Sequence, residues 1–461
     1  MSLDLIFKAY DIRGTYPDQL DADVARRVGA AFAAFAGAPT ILVARDMRPS
    51  GEELSAAFAE GATSQGVDVV DLGLASTDLL YFASGRLDAP GAVFTASHNP
   101  AGYNGIKLCL AGAAPVGEES GLLEVKALTA AGLPPVSRPG SVSHRDLLGD
   151  YAAHVRSFVD TSALSPLRIV VDSANGMGGH VAPAVFEGLP FTVTWLYQEL
   201  DGTFPNHPAD PLNPANLVDL QAAVLAEGAD IGLAFDGDAD RVFLVDEAGQ
   251  GVSGSLTTAL LAKGILAKNP GEMVLHNLIC SKSVPEVIRE SGGTPVRTKV
   301  GHSFIKAVMA ETGAIFGGEH SAHYYFRDNY RADSGLIAAI IVLEQLSVSG
   351  LRLSELVAPL DRYAASGEIN STVADADAAL ARVTAAFPDA VVDDTDGRTF
   401  DLGSWWFNLR RSNTEPLLRL NLEAPDRASC DARTSEVLAI VRQPDTSRPQ
   451  TGVPDTSTTE A

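Results

Sequence analysis

Along the first third of the chain, short apolar runs rich in β-branched residues alternate with stretches whose apolar positions recur at helical spacing. The runs predict strands over residues 40–44, 67–72 and 91–94, with a helix over 77–86. Ser50-Gly51-Glu52-Glu53 has the spacing of a capping box that opens a further helix. The order βαβαβ predicts a parallel sheet covered by helices. A polar stretch over residues 134–143, rich in Pro, Gly and Ser, predicts a domain boundary, after which the pattern restarts. Strands are predicted over 167–172, 191–197 and 230–235, with a helical stretch reaching Phe186 and a helix over 216–227. A third restart near Ser255 includes strands over 273–278 and 314–316. The last segment has another grammar: a helix over 375–387 with Asp375 as its cap, a hairpin turn at Asp396-Gly397, strands over 405–409 and 417–422, and a helix over 426–441. The fold class expected is therefore α/β, with three consecutive α/β domains of mixed, largely parallel sheets and a smaller α+β domain at the C-terminal end. From about Pro444 to Ala461 apolar side chains are few, and a disordered tail is expected.

Composition narrows the function. The 461 residues suffice for three or four domains with real cores, and the 46% hydrophobic content is that of a globular protein. The longest apolar stretch, residues 335–343, stops at Glu344 and reads as a buried helix, so no membrane partner is expected. Cys109, Cys280 and Cys430 form no disulfide or zinc pattern, and Met1-Ser2-Leu3-Asp4 has no basic leader, so a cytoplasmic location is expected. The net charge of −24 argues against nucleic acid as a partner. It also requires that any phosphate site be a local concentration of Arg, Lys and backbone N–H groups.

Candidate chemistry sits where strands end. In open α/β sheets, ligands bind beyond the carboxyl ends of the strands. There the run 91–94 delivers Thr95-Ala96-Ser97-His98-Asn99-Pro100, with Lys107 following past Gly102 and Gly105, two glycines that let the loop fold back. A serine hydroxyl is a weak nucleophile and needs a neighbouring base, cation or metal. The run 230–235 leads into Asp236-Gly237-Asp238-Ala239-Asp240-Arg241. Three alternate carboxylates in a loop can turn oxygens toward one hard cation, Mg²⁺ or Ca²⁺. A calcium EF-hand loop begun at Asp236 would place Glu247 at its twelfth position but Arg241 where it needs glycine, so Mg²⁺ is favoured. The run 314–316 ends in a loop carrying Glu319, Ser321 and His323, donors and acceptors suited to vicinal hydroxyls, with Lys299 and His302 upstream. Arg410-Arg411-Ser412-Asn413-Thr414-Glu415-Pro416, between two strands, has the chemistry of a phosphate clamp. Near the start, Lys8-Ala9-Tyr10-Asp11-Ile12-Arg13-Gly14 reads as a polar loop.

Taken in order, Tyr-Asp-Ile-Arg-Gly, Thr-Ala-Ser-His-Asn-Pro, Asp-Gly-Asp-Ala-Asp-Arg, Gly-Glu-His-Ser-Ala-His and Arg-Arg-Ser-Asn-Thr-Glu-Pro resemble the α-D-phosphohexomutase family, over nearly the whole chain. The resemblance implies four domains around a central cleft: residues 1–145 with the phosphoserine loop, 146–250 with the metal loop, 251–362 with the sugar loop and 363–443 with the phosphate loop, before a tail over 444–461. It implies that Ser97 is carried as phosphoserine, whose phosphate joins Asp236, Asp238 and Asp240 around one Mg²⁺. Arg13 would steady that phosphate. Lys107 would be a general acid/base group supported by Arg241 and His98. Tyr10, Lys299, His302 and His323 would line the cleft, and Glu319 and Ser321 would read sugar hydroxyls. Arg410, Ser412, Asn413 and Thr414 would hold the distal phosphate. The implied reaction interconverts hexose 6-phosphate and hexose 1-phosphate through a 1,6-bisphosphate, which also serves as activator. The resemblance implies small-molecule hexose phosphates as substrates, and a monomer or homodimer is expected. The Ser-Ala-His-Tyr-Tyr-Phe form looks most like the phosphomannomutase branch, although His320 and Ala322 depart from many relatives and glucose phosphate stays open as substrate. A Mg²⁺-dependent phosphatase and an inactive sugar-phosphate scaffold are the rival classes.

Overall fold

A computed structural model describes residues 3–411 and 417–443, apart from the side chains of His302 and Ser303. The chain divides into two units, residues 1–361 and 362–461. The first holds three sheets. In the first sheet the parallel strands Gly91–Phe94, Thr40–Arg45, Asp68–Leu74 and Val142–His144 lie side by side in that order. Next to Gly91–Phe94, Tyr103–Leu110 runs antiparallel and pairs in turn with the edge strand Ile12–Thr15. The second sheet repeats the plan: Phe191–Leu196, Leu167–Asp172 and Ile231–Phe235 are parallel, and Val242–Asp246 returns antiparallel beside the last. The third has Thr294–Thr298, Met273–Asn277 and Phe316–Gly318 parallel, with Tyr324–Phe326 antiparallel. Each of these sheets therefore ends its parallel part in a hairpin, and each hairpin loop is one of the three candidate loops of this unit.

The expected alternation holds, with corrections that have physical causes. Residues 103–110 form a strand rather than a returning loop, and the run 8–14 is partly strand. Gly105 is a packing position within that strand, since a Cβ there would lie 2.6 Å from the Ile12 carbonyl oxygen and 2.7 Å from that of Thr95. Ser50 stands before helix Gly51–Ser64, yet its side chain does not cap it: the residue is itself in helical geometry and its hydroxyl accepts from Asn104 at 2.8 Å. The polar stretch over 134–143 leads back to the first sheet, where Val142–His144 pairs with Asp68–Leu74. The helix expected over 216–227 begins as the 3₁₀ turn Pro214–Leu217 and continues as Val218–Glu227. The expected tail over 444–461 lies outside the described residues.

Helix Gly335–Ser349 is buried as its composition predicts, with Ser334 capping it, and the three cysteines are free and buried. No helix among the described residues is long and apolar enough to cross a membrane.

The second unit is one antiparallel sheet in the order Ala364–Thr372, Leu417–Ala424, Trp406–Arg411, Arg398–Asp401, Val391–Asp393. Its first strand carries no clean alternation and was not expected from the sequence. Helices Ala376–Ala386 and Arg427–Val441 are capped by Asp375 and Asp426. Its core includes Phe387, Phe400, Trp405 and Phe407, with Phe400 and Phe407 stacked at 4.6 Å.

In the first unit, helices Ala22–Ala36 and Gly51–Ser64 meet backbone to backbone. A Cβ on Gly61 would fall 1.9 Å from the Arg26 carbonyl oxygen, and one on Gly29 would fall 2.1 Å from that of Phe58. Alanine gains about 1 kcal/mol over glycine in a helix interior. Overpacking against atoms that cannot swing away costs about 1–3 kcal/mol. Gly61→Ala should therefore lower the urea midpoint; an unchanged or higher midpoint would contradict this reading of the contact.

Candidate active site

The strand Gly91–Phe94 is wholly buried and ends in a turn whose third residue, Ser97, has φ +48°. Left-handed backbone at a non-glycine residue is uncommon, and such strain persists only where the surroundings hold it. Here the Ser97 N–H donates to Thr95 Oγ1 at 2.9 Å, and the Asn99 N–H donates to the Ala96 carbonyl at 2.9 Å. The Ser97 hydroxyl is only 5% exposed and donates to Asp236 Oδ2 at 2.8 Å. His98 Nδ1 lies 3.1 Å from the same hydroxyl and accepts from Arg241 Nη2 at 2.7 Å. A guanidinium has no acceptor, so this nitrogen is bare and the ring neutral. Burial first, then Arg241 and Arg13, push the His98 pKa down to about 2.

Asp236, Asp238 and Asp240 occupy the hairpin loop of the second sheet, are buried, and bring one oxygen each within 4.8 Å of the others. Asp236 also accepts from Arg241 Nε at 2.9 Å. Lys107, on strand Tyr103–Leu110, spans Asp238 and Asp240 at 2.7 Å each, and Thr77 donates to Asp238 at 2.6 Å. Burial works against the Lys107 charge, but Asp238 and Asp240 override it and hold its pKa well above the ordinary value. Burial would likewise raise Asp238, and Lys107 overrides it downward. On Asp236 burial prevails over Arg241, and the pKa rises to about 8. Asp238 Oδ1 and Asp240 Oδ1 are buried and have no hydrogen-bond partner among the described residues. Three hard oxygen donors with two orphaned atoms fit a small divalent cation. Glu247 is not part of this set: its carboxylate accepts from the Ser354 hydroxyl and N–H, which removes the EF-hand alternative.

The third hairpin approaches the same cluster. Arg241 and His323 form a backbone bridge, and His323 Nε2 lies 3.9 Å from Asp240 Oδ1. Ser321 Oγ lies 3.2 Å from His323 Nδ1. Glu319 is 2% exposed and accepts from Asn277, the Gly301 N–H and Tyr325, so its carboxylate is held by internal donors. Lys299 lies 5.3 Å from the Phe304 ring centroid, and Tyr10 packs edge-on to that ring at 6.3 Å. His302 begins a helix, and its side chain lies outside the described residues. Arg13 pairs with Asp11 and donates to Asn99 at 2.7 Å, while its buried Nε has no partner among the described residues.

The structure thus gathers Ser97, His98, Lys107, Asp236, Asp238, Asp240, Arg241 and His323 at one place, with Arg13 bonded to the Ser97 loop. It sets Arg241 and His98 against Ser97 and Asp236, so any support they give Lys107 runs through the shared carboxylate cluster. In the second unit, Arg410 lies on strand Trp406–Arg411 at 3.8 Å from Glu368 and 3.6 Å from Asp396, and Arg411 pairs with Asp377. Ser412, Asn413 and Thr414 lie outside the described residues. Two participants escaped the sequence reading. Thr77 passed as an ordinary helix start. Arg48, 1% exposed, donates to the backbone carbonyls of Ser97, Asn99, Pro100 and Tyr103. Its signal was available, because Asp46-x-Arg48 follows a buried strand at the carboxyl end of the sheet.

With that geometry in hand, comparison with known proteins is informative. The descriptions "Phosphoglucomutase/phosphomannomutase, alpha/beta/alpha domain I", "domain II" and "domain III" match residues 4–131, 149–250 and 253–363, and the family's C-terminal domain matches 368–439. A phosphomannomutase of Salmonella montevideo is 43% identical over 448 residues, 94% of this chain and 98% of the relative. A protein described as "Phosphohexose mutases" from Xanthomonas campestris pv. campestris is 42% identical over 442 residues, 95% of this chain and 99% of the relative. The crystal structure of a phosphoglucomutase/phosphomannomutase family protein from Burkholderia thailandensis superposes with a TM-score of 0.87 at 34% identity, covering 96% of this chain and 97% of that one. The three hairpin loops, the matches in all four domains and this identity lead to one conclusion: the chain belongs to the phosphoglucomutase/phosphomannomutase family.

Proposed function

We propose that this protein is a phosphohexomutase interconverting mannose 6-phosphate and mannose 1-phosphate, with Ser97 as the phosphoryl carrier. The observation that carries the reading is the Ser97 hydroxyl, buried, strained and hydrogen-bonded to Asp236 within a cluster that also holds Lys107 and Arg241. The mannose assignment draws on the relatives named phosphomannomutase.

Phosphoserine gives its phosphoryl to a hydroxyl of the bound hexose phosphate. The sugar oxygen–phosphorus bond forms as the Ser97 Oγ–phosphorus bond breaks, and the sugar's proton leaves through a base. The resulting 1,6-bisphosphate turns over, and its other phosphoryl returns to Ser97. We assign both proton movements to Lys107: it gives its proton to the departing Ser97 oxygen and takes the one the sugar hydroxyl releases, and the exchange reverses on return. Arg13 offers its unpartnered Nε to the phosphate on Ser97. Arg241 and the neutral His98 fix the line between Ser97 and Asp236. Ser321 and Glu319 read sugar hydroxyls, while Tyr10, Lys299, His302 and His323 line the site. Arg410, Ser412, Asn413 and Thr414 hold the distal phosphate. Asp236, Asp238, Asp240 and the phosphoserine would hold Mg²⁺, whose contribution is to neutralise charge on the phosphoryl group. Hexose 1,6-bisphosphate serves as activator by reloading Ser97.

Three measurements test this. Ser97→Ala should lose nearly all turnover of mannose 1-phosphate, and intact mass should show one phosphoryl group on the wild type, mapped to Ser97 by peptide analysis. Net phosphate release without isomer interconversion would identify a phosphatase instead, and a preference for glucose 1-phosphate in the same coupled assay would move the substrate.

At one hundred times its Kd, Mg²⁺ should add about 2.7 kcal/mol to the stability of the wild type. Asp238→Asn should abolish most of that gain and cut activity steeply, because an amide is a poor ligand for a hard cation. A thermal shift by Mg²⁺ that survives the substitution would remove Asp238 from the ligand set.

Arg410→Ala should cost about 1.5–3 kcal/mol of transition-state binding, roughly tenfold to a hundredfold in kcat/KM, in both reaction directions. Arg411→Ala, which among the described residues loses an exposed pair with Asp377, serves as control. If the control is the damaging change, the clamp is misplaced by one residue.

A further inference from the structure

We propose that Arg48 is the positioning residue of the Ser97 loop, the buried cation that keeps the phosphoryl-carrying hydroxyl in its left-handed turn; the inference rests on the role proposed for Ser97 and deepens it. Arg48 Nη2 donates to the carbonyls of Ser97 at 2.8 Å and Asn99 at 2.7 Å. Its Nη1 donates to those of Pro100 at 2.8 Å and Tyr103 at 2.9 Å, and its Nε to Asp46 Oδ2 at 3.2 Å. All five guanidinium N–H groups are thereby used.

A turn that aims several carbonyls at one buried point is unstable without a donor there, since each unpaired buried oxygen carries its own desolvation cost. A planar fork of five donors meets that need, and an ammonium with three donors does not. The Ser97 carbonyl also has the Gly237 backbone close to it. A Cβ on Gly237 would stand 2.4 Å from it, so the metal loop presses on the turn through bare backbone. Burial raises the pKa of Asp46 and Arg48 counters it, and Asp46 also fixes Arg48 through its backbone N–H at 2.9 Å.

A loop of the second sheet's domain seals the cation. The Phe204 ring lies 5.1 Å from Arg48 Cζ, and a Cβ on Gly202 would stand 2.5 Å from Arg48 Cα. Phe204 has φ +52°, a strained conformation for a bulky residue. The hydrogen bonds of Arg48 go to Asp46 and to backbone carbonyls, none to Asp236, Asp238 or Asp240. Its charge also acts on Asp238, so the influence that passes through the direction of Ser97 Oγ is read from a variant that keeps the charge; loss of the donor fork should fall on phosphoryl transfer and spare sugar-phosphate binding.

The test compares full-length Arg48→Lys and Phe204→Leu with wild type and Ser97→Ala. Each is assayed for kcat and KM with mannose 1-phosphate, for phosphoserine occupancy by intact mass after loading with hexose 1,6-bisphosphate, and for its thermal midpoint. Arg48→Lys keeps the charge beside Asp46 but cannot serve the four carbonyls. Its kcat should fall about a hundredfold, the scale of a misplaced reacting group, with KM little changed and phosphoserine occupancy reduced. Phe204→Leu, which removes the ring set over the guanidinium and so loosens its fork, should show a smaller fall in kcat and again little change in KM. A folded Arg48→Lys with wild-type kcat and occupancy, even at a lowered thermal midpoint, overturns the proposal and leaves Arg48 a structural residue. A loss expressed in KM alone overturns it too. If Arg48→Lys does not fold, Phe204→Leu decides: wild-type kcat there overturns the proposal. Ser97→Ala separates the two readings, since full turnover in that variant defeats the phosphoserine assignment itself and takes this inference with it.

Discussion

Everything in the first unit answers to one electrostatic constraint: three buried carboxylates, Asp236, Asp238 and Asp240, held close together away from water. Removing an ion from water costs several kcal/mol even after relaxation, so such a cluster persists only where cations and donors surround it. The protein supplies them from separate elements. Lys107 comes from the first sheet, Arg241 from the end of the metal loop itself, and Thr77 from the start of a helix. In a chain of net charge −24 this local gathering of positive charge runs against the global field.

The repeated hairpin explains how groups far apart in sequence meet. In each of the three α/β sheets the last parallel strand hands its loop to an antiparallel neighbour, so the loop stays short and is anchored at both ends. The aspartate loop is then tied to its neighbours through backbone: the N–H of Thr77, at a helix start in the first domain, donates to the Asp238 carbonyl at 3.1 Å, and Arg241 bridges His323 in the third hairpin. Glycine allows the approach where side chains would block it. A Cβ on Gly335, at the start of the buried helix, would stand 2.8 Å from the Arg241 carbonyl carbon.

A second buried acid ties the same domains together behind the site. Asp78 accepts hydroxyls from Ser76 of its own domain, from Tyr151 of the next and from Ser334, which also caps helix Gly335–Ser349. Burial raises its pKa to about 7 even though all three hydroxyls favour the charged form. The hub and the continuous apolar cluster around it make the three domains one packed body, which a site of this geometric demand requires.

Periodicity and turn chemistry in the sequence were enough to specify most of the parallel strands, several helices, the caps Asp375 and Asp426, and the loops bearing Ser97, Asp236 and Glu319, because these depend on neighbours within a few residues; the edge strands Val142–His144 and Thr294–Thr298 and the helices Ala22–Ala36 and Gly254–Lys268 were not among them. The motifs in order were enough to indicate the family. Tertiary structure alone decided the rest. Residues 103–110 read as a glycine-bent loop until the Ile12 and Thr95 carbonyls are seen to demand Gly105 inside a strand. Ser50 looked like a cap until Asn104 claimed its hydroxyl. Arg48 had no local partner to announce it beyond Asp46, since its other partners are carbonyls some fifty residues away, at Ser97, Asn99, Pro100 and Tyr103. Local pattern fixes where a loop begins; which buried cation holds its carbonyls depends on chain brought together only by folding.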